Sequence, residues 1–388
     1  MNNKKIYLDH AATTSVDKDV LQRMFPWFSE NYGNPSSIYS LGSKSKKVIE
    51  DSRDVVAKIL NCKSSEIYFT SCGTESDNWA LKGIAYANQK KGKHIITSNI
   101  EHHAILHTLK YLEKQGFSIT YIPVEKNGII DPIKVKNAIK KDTIMISIMY
   151  ANNEIGTIQP IGEIGLIAKE FDIIFHTDAV QAMGSIPIDV QSLNIDLLSM
   201  SAHKFYGPKG VGVLYIKRGV KIDNLLHGGG QEKTRRAATE NIANIVGLAT
   251  ALEKASKNLK KYNKHVSKLR DLTVKLVMEK IPETIINGDI KNRLSNNINF
   301  SFRYIEGEGL LLFLDMSNIY ASSGSACTSG SLDPSHVLLA TGLSAERAHG
   351  SLRLTFGWDN SIEDVYIVVN ELEVIVKKLR ELSPLYDK

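Results

Sequence analysis

The segment Ser201-Ala202-His203-Lys204-Phe205-Tyr206-Gly207-Pro208 places a lysine where an apolar run ends in a glycine–proline turn. A lysine partly desolvated at such an edge can shed its proton and condense with an aldehyde. Alone, the pattern also describes an ordinary solvated strand end. Upstream, His176-Thr177-Asp178-Ala179-Val180-Gln181 puts a carboxylate at the end of another apolar run. A carboxylate there can hold a protonated ring nitrogen and keep an electron-accepting ring charged. It can equally cap a helix. Ligands of open α/β sheets bind beyond the carboxyl ends of strands, so Asp178 and Lys204 are expected to converge.

Three further segments could join them. Thr70-Ser71-Cys72-Gly73-Thr74-Glu75-Ser76 leads from an apolar run, Ile67–Phe69, into a helix. Hydroxyls and small residues at a helix N-terminus offer free N–H groups and a favourable dipole to a phosphate. The plain alternative is a capping box with Thr74 at the cap and Asp77 three residues on. His102, in Ile100-Glu101-His102-His103, could move a proton, stack on a ring, or serve structure alone. Ala321-Ser322-Ser323-Gly324-Ser325-Ala326-Cys327-Thr328-Ser329-Gly330-Ser331 reads as an exposed loop of small residues around one thiol. A thiol exposed in that way is expected to react. Cys62 reads as a structural thiol near a helix end, and Cys72 as a small buried residue.

The elements that must position these residues alternate. Strands are expected at His94–Ser98, Ile119–Val124, Thr143–Ala151, Asp172–Asp178, Asp196–Ser201 and Gly210–Ile216, with helices at Glu75–Gln89, Ala104–Gln115 and Ile161–Glu170. Several strands are continuously apolar, as when helices cover both faces. The expectation is an α/β fold with a mostly parallel central sheet. After about Thr239 the character changes. Leu252, Ala255, Leu259, Tyr262, Val266 and Leu269 lay one apolar stripe along a long helix. Lys254, Lys257, Lys261, Lys264 and Lys268 on its other faces read as a solvated surface. Ile362–Leu382 reads as a final amphipathic helix. The expected division is a large domain over 15–257 and a smaller α/β domain built from 1–14 and 258–388.

Composition narrows the class. Of 388 residues, 43% are hydrophobic and 23% charged, near globular averages, which argues against a disordered or fibrous chain. Lys plus Arg exceed Asp plus Glu by 48 − 42 = 6. A mild excess without an aromatic-interleaved basic motif does not point to nucleic acid. No apolar run approaches the ~18 residues of a membrane span, and no secretory leader is visible. Three cysteines without CxxC spacing exclude a disulfide framework or zinc knuckle, so a reduced, cytoplasmic setting and no bound metal are expected.

Together these motifs resemble the cysteine desulfurases of the NifS/IscS type, within the class V aminotransferase group of pyridoxal-phosphate enzymes. The resemblance runs nearly end to end, through Tyr7-Leu8-Asp9-His10-Ala11-Ala12-Thr13-Thr14, Gly33-Asn34-Pro35-Ser36-Ser37, Asn152-Asn153-Glu154-Ile155-Gly156, His227-Gly228-Gly229-Gly230-Gln231-Glu232 and Ser351-Leu352-Arg353 besides the segments above. The lysine segment marks the wider superfamily, whereas the Cys327 loop is much more specific. The resemblance implies a fold-type I pyridoxal-phosphate transferase acting as a homodimer. Lys204 would be the Schiff-base lysine, and Asp178 would hold the pyridine nitrogen. Gln181 would hold the ring hydroxyl, and His102 would stack on the ring and shuttle a proton. Gly73, Thr74, Ser201 and His203 would bind the phosphate, with Thr239 reaching over from the other subunit. Asn153, also beside the cofactor, and Arg353 would hold the substrate carboxylate. Cys327 would accept the sulfur of L-cysteine and could contact a cluster on a partner, an iron–sulfur scaffold of the IscU/NifU kind. Tyr39, Ser43 and Cys72 depart from the family's usual residues without touching these positions. A selenocysteine lyase or an aminotransferase on the same fold is the alternative, and neither would need Cys327.

Overall fold

The computed structural model describes residues 4–323, 334–384 and 386. Strand β1 (Ile6–Tyr7) precedes β2 (Ile67–Thr70), β3 (His94–Ser98), β4 (Ser118–Ile122), β5 (Thr143–Ser147), β6 (Ile174–Asp178), β7 (Leu197–Ser201) and β8 (Gly212–Ile216). Later in the chain come β9 (Thr284–Asn287), β10 (Asn297–Phe302), β11 (Ile319–Tyr320) and β12 (Ser351–Thr355). Strands β2 to β8 make one sheet in the order β2-β8-β7-β6-β5-β3-β4. The pairings from β4 through β7 are all parallel, and β8 runs antiparallel to both of its neighbours.

The expected α/β architecture is therefore present, and the reason lies in burial. Every residue of β3, β5, β7 and β8 is buried, because helices cover both faces. Consecutive residues go to opposite sides. Ile95, Leu197 and Leu214 pack with Trp79, Ile84 and Leu109, whereas Ile96, Leu198 and Val213 pack with Ile49, Val56 and Leu248. The apolar run Thr143–Ala151 forms strand only as far as Ser147. Its remainder is buried in a loop, with Tyr150 N–H donating to the Asp178 carbonyl at 2.8 Å. Apolarity reported burial there, not pleating. Asp172 stands outside β6 at φ +53°.

A second core forms around β12-β10-β9 and the β1/β11 pair, with Leu8, Val266, Phe300, Leu314, Leu352 and Val368 inside it. The 39-residue helix Ile242–Lys280 joins the two cores. Ile245, Leu248 and Leu252 lie in the first, and Tyr262, Val266 and Leu269 in the second. Lys257, Lys261, Lys264 and Lys268 are exposed, as the stripe requires. Lys254 is not simply solvated, because its Nζ donates to both carboxylate oxygens of Asp17 at 2.8 Å.

Between β8 and the long helix, residues 231–240 form a strained loop. Glu232, Lys233 and Thr234 have φ of +44°, +59° and +66°, and Ala238 has +103°. The loop is held by a buried fork, in which Arg53 donates from two nitrogens to Glu232 at 2.7 and 2.9 Å. Phe69 N–H donates to the same carboxylate at 2.9 Å. An L side chain at φ +103° is strained, whereas glycine is not. Ala238→Gly should therefore stabilise the fold by ~1 kcal/mol, read as a higher urea midpoint at unchanged slope. A lower midpoint would show that the loop is not strained there.

Candidate active site

Five loops leave the carboxyl ends of β2, β3, β5, β6 and β7 and converge, as expected for an open parallel sheet. With Ala11, Ala12 and Arg353 they line a cavity of about 250 Å³. Gly73, Thr74, His102, Asn153, Asp178, Gln181, Ser201, His203 and Lys204 all face it. A larger cavity of about 610 Å³, bounded by Asp17, Lys254 and Trp358, touches Lys204 from the other side but gathers none of the other candidate residues. Thr239 is exposed and does not line the cavity of its own chain. Cys327 lies outside the described residues.

Strand β7 ends at Ser201 and turns immediately through Ala202–Lys204, which aims the lysine back over the sheet edge. Its Nζ donates to the carbonyls of Ala11 and Ala12 at 2.7 and 2.8 Å. Asp178 closes β6 with its carboxyl buried at 6% exposure. Burial pushes that carboxyl up to about 6, against the opposing pull of the Val180 N–H and the Lys204 ammonium. The Val180 bond, 2.9 Å to Oδ1, closes a turn; no helix begins there, so the helix cap considered from sequence is not formed and the residue faces the cavity. Gln181 donates from Nε2 to the Ala11 carbonyl at 2.9 Å. His203 Nδ1 lies 3.1 Å from Thr13 Oγ1, and burial beside the Lys204 charge lowers its imidazole to about 4.

His102 is the N-cap of the helix His103–Lys114, its Nδ1 accepting from Ala104 N–H at 3.1 Å. A ring accepting at Nδ1 carries its proton on Nε2. Burial, then the Lys204 charge, lower its imidazole to about 4, so the ring is neutral near pH 7.

The phosphate-cradle segment differs from the capping box considered above. The helix runs Gly73–Asn88 and its cap is Cys72, whose Sγ accepts from Glu75 N–H at 3.4 Å. Cys72 is thus a partly exposed cap, not a buried filler. Ser76 N–H goes to the Cys72 carbonyl at 3.2 Å. Of the N–H groups that a helix start leaves without intrahelical partners, those of Gly73 and Thr74 have no hydrogen-bond partner among the described residues and are open to a ligand. A Cβ on Gly73 would stand 2.8 Å from Val180 Cγ2, so only glycine lets the backbone come this close.

Arg353, on β12, enters from the second core and is 2% exposed. It donates to the Asn153 carbonyl at 3.0 Å and to Asp9 Oδ1 at 2.8 Å, while its Nε is buried without a hydrogen-bond partner among the described residues. The ends flanking residues 324–333 are fastened at the same place. Ser322 exchanges backbone hydrogen bonds with Arg353 at 2.7 and 3.4 Å. On the far side, Ser335 donates to the Glu154 carboxylate, and His336 Nε2 donates to the Glu101 carbonyl at 3.1 Å.

Sequence reasoning gave several buried acids here no part in the site, and Asp77 only a capping one. Asp77 lines the cavity with an oxygen lacking a hydrogen-bond partner among the described residues. Burial, then the Asp178 charge, hold its carboxyl well above the usual range. Asp9 pairs with Arg353, and its presence in the quoted Tyr7–Thr14 motif was the available signal. Glu101 is fully buried, accepts from Met149 N–H at 3.0 Å, and is pushed by burial up to about 8. Burial likewise raises Glu154 to about 7.

These shifts set a pH dependence. An acid raised from 4.5 to about 8 binds its proton more tightly folded than unfolded, so it loses stability as pH rises from roughly 4.5 to 8. His102 and His203, lowered to about 4, act oppositely but only between about 4 and 6.5. Above pH 6.5 the acids act alone. Cofactor-free protein should thus be less stable at pH 8 than at pH 6.5 in urea titrations, and Glu101→Gln should flatten the slope. An unchanged slope in that variant would remove Glu101 as its source.

The chain belongs to the class-V aminotransferase family, whose model matches residues 6–368. Within that family it is 58% identical to a curated cysteine desulfurase IscS of Clostridium botulinum over 387 residues, covering 99% of this chain and 98% of the relative. A solved NifS-like protein superposes with a TM-score of 0.91 at 40% identity, covering 97% of this chain and all of that one. SspA, solved in complex with cysteine, superposes with a TM-score of 0.82 at 38% identity over 91% of this chain and 99% of its own.

Proposed function

We propose that this chain is a pyridoxal-phosphate-dependent cysteine desulfurase that converts L-cysteine to L-alanine and holds the sulfur as a persulfide on Cys327. The observation that carries this reading is the convergence of Lys204, Asp178, Arg353 and the unspent first turn of Gly73–Asn88 on one cavity.

The residues present fit that cofactor. The N–H groups of Gly73 and Thr74, with Ser201 and His203, would hold the phosphate, joined by Thr239 of a second copy. Asp178 would hold the pyridine nitrogen, Gln181 the ring hydroxyl, and His102 one face of the ring. When bound, pyridoxal phosphate supplies an aldehyde that links to an amine and a ring that takes up electrons from the α-carbon. Lys204, released from the Ala11 and Ala12 carbonyls, moves the α-proton of the substrate. His102 lines the cavity and, with its proton on Nε2, would be the donor there. The buried guanidinium of Arg353 forks the substrate carboxylate, with Asn153 alongside. The thiolate of Cys327 attacks the substrate sulfur. An S–S bond forms as the Cβ–S bond breaks, and its electron pair stays on carbon, which takes up a proton and leaves as alanine.

Chain connectivity supports that last step. Cys327 is five residues along the sequence from Ser322, which exchanges backbone hydrogen bonds with Arg353. Of the other thiols, Cys62 is pushed by burial up to about 12 and is a poor nucleophile.

A homodimer is supported by a run of exposed apolar side chains. Leu21, Phe25, Phe28, Tyr32, Ile38 and Tyr39 are 41–98% exposed, and clustered exposed apolar side chains commonly mark an interface. An iron–sulfur scaffold protein is the proposed sulfur acceptor, and the cytoplasm the proposed setting. Among the described residues no helix is long and apolar enough to cross a membrane.

The test is the purified protein with pyridoxal phosphate, L-cysteine and a thiol reductant. Alanine and sulfide should appear in equal amounts. Turnover of selenocysteine with none of cysteine would replace this reading with a selenocysteine lyase.

A further inference from the structure

We propose that Arg236 is a positioning residue for the phosphate end of this cavity, acting through Glu75 to keep a carboxylate charge from opposing the bound anion. This rests on the functional reading above and extends it to a residue outside the cavity lining.

Glu75 is the third residue of the helix Gly73–Asn88. Its side chain folds back, and Oε2 accepts from Ser71 N–H at 2.7 Å. The carboxylate therefore brackets the turn that presents the Gly73 and Thr74 N–H groups. An acid in a first turn suits the positive end of a helix. Here it also sets a negative charge beside the seat of a phosphate dianion and competes with that ligand for the same end. Arg236 removes the conflict. Its Nε donates to Oε1 at 2.7 Å and its Nη2 to Oε2 at 3.0 Å, a bidentate fork. Both side chains are mostly out of water, 15% and 11% exposed. Burial alone would raise the Glu75 carboxyl, but the hydrogen bonds from Arg236 and Ser71 outweigh it, so the acid stays ionised. A lone charge at this depth would be only partly screened, whereas the pair is neutral overall.

Arg236 is fixed from its own side as well. It sits four residues after Glu232, whose carboxylate is clamped by Arg53 and Phe69 N–H. The strained loop thus reaches the cradle helix with little freedom, and it carries Thr239 three residues on.

The test measures binding by cofactor-free protein, followed by absorbance, with pyridoxal phosphate and with pyridoxal, which lacks the phosphate. Arg236→Leu should raise the Kd for pyridoxal phosphate about tenfold at low salt, as expected of one unmasked charge. The loss should shrink at high ionic strength. Pyridoxal binding should stay within about twofold, since the ring contacts are untouched. Glu75→Gln keeps an acceptor for Ser71 N–H without the charge, so Arg236→Leu/Glu75→Gln should return close to wild-type affinity. Equal losses for both ligands, or no rescue in the double variant, would assign Arg236 a merely structural role and overturn the proposal. Should Arg236→Leu not fold, Arg236→Gln removes the charge while keeping an amide donor for Glu75, and should weaken pyridoxal phosphate several-fold with no change for pyridoxal. An unchanged Kd in that variant overturns the proposal too. A wild-type chain that does not bind pyridoxal phosphate would instead overturn the functional reading.

Discussion

Lys204→Ala should retain pyridoxal phosphate and lose turnover of cysteine by more than about a thousandfold, since the covalent link and the proton carrier vanish together. Retention is expected because the phosphate cradle, Asp178 and Gln181 stand on other strand ends and helix starts and stay in place without the lysine. Folding should change little, because Nζ donates to two backbone carbonyls that water can serve in its place. Borohydride should fix the cofactor to one peptide of the wild-type protein, the one containing Lys204, and to none in the variant. A label on any other peptide would sink the assignment.

The second large effect belongs to the thiol. Cys327→Ser keeps nearly the same volume but replaces a thiolate with a hydroxyl scarcely ionised near pH 7. Cysteine should still bind and perturb the cofactor's absorbance, while alanine and persulfide fall to background. Cys62→Ser and Cys72→Ser should keep most activity: Cys62 is half-buried beside a helix end, and Cys72 serves as a cap that serine also fills. Persulfide found by mass spectrometry on Cys62 or Cys72, with Cys327→Ser fully active, would refute the sulfur route. Continued turnover of selenocysteine in Cys327→Ser would not, because the weaker carbon–selenium bond needs less help.

What could be read in advance was what depends on neighbours in sequence. Lys204, Asp178 and the Gly73 turn each stand where an apolar run stops, so their strand-end positions followed from polarity alone. The helices Ile161–Glu170 and Ile362–Leu382 fall where the periodicity put them. What stayed hidden depends on residues far apart in the chain. The Arg236–Glu75 fork spans 161 positions and the Arg353–Asp9 pair 344, and no periodicity marks such contacts. Asp77 escaped for another reason. An acid three residues after a threonine at an expected helix start reads as part of a cap whether it faces water or, as here, stands 1% exposed against the cavity. Burial of polar groups is a property of the assembled fold, and local pattern does not carry it.

The pairing of Ile6–Tyr7 with Ile319–Tyr320 has a consequence for biosynthesis. The first strand leaves the ribosome without its partner, and 319 − 6 = 313 residues must follow before the two can meet. At about 5–20 residues per second that is a wait of roughly 15–60 s. Over that interval Asp9, Ala11 and Ala12 hang beside a sheet that can already assemble from β2 to β8. The carbonyls that hold Lys204 and the carboxylate that holds Arg353 would thus arrive last, together with the segment bearing Cys327. A nascent chain built in this order completes the large sheet first and the cavity wall that β1 carries last.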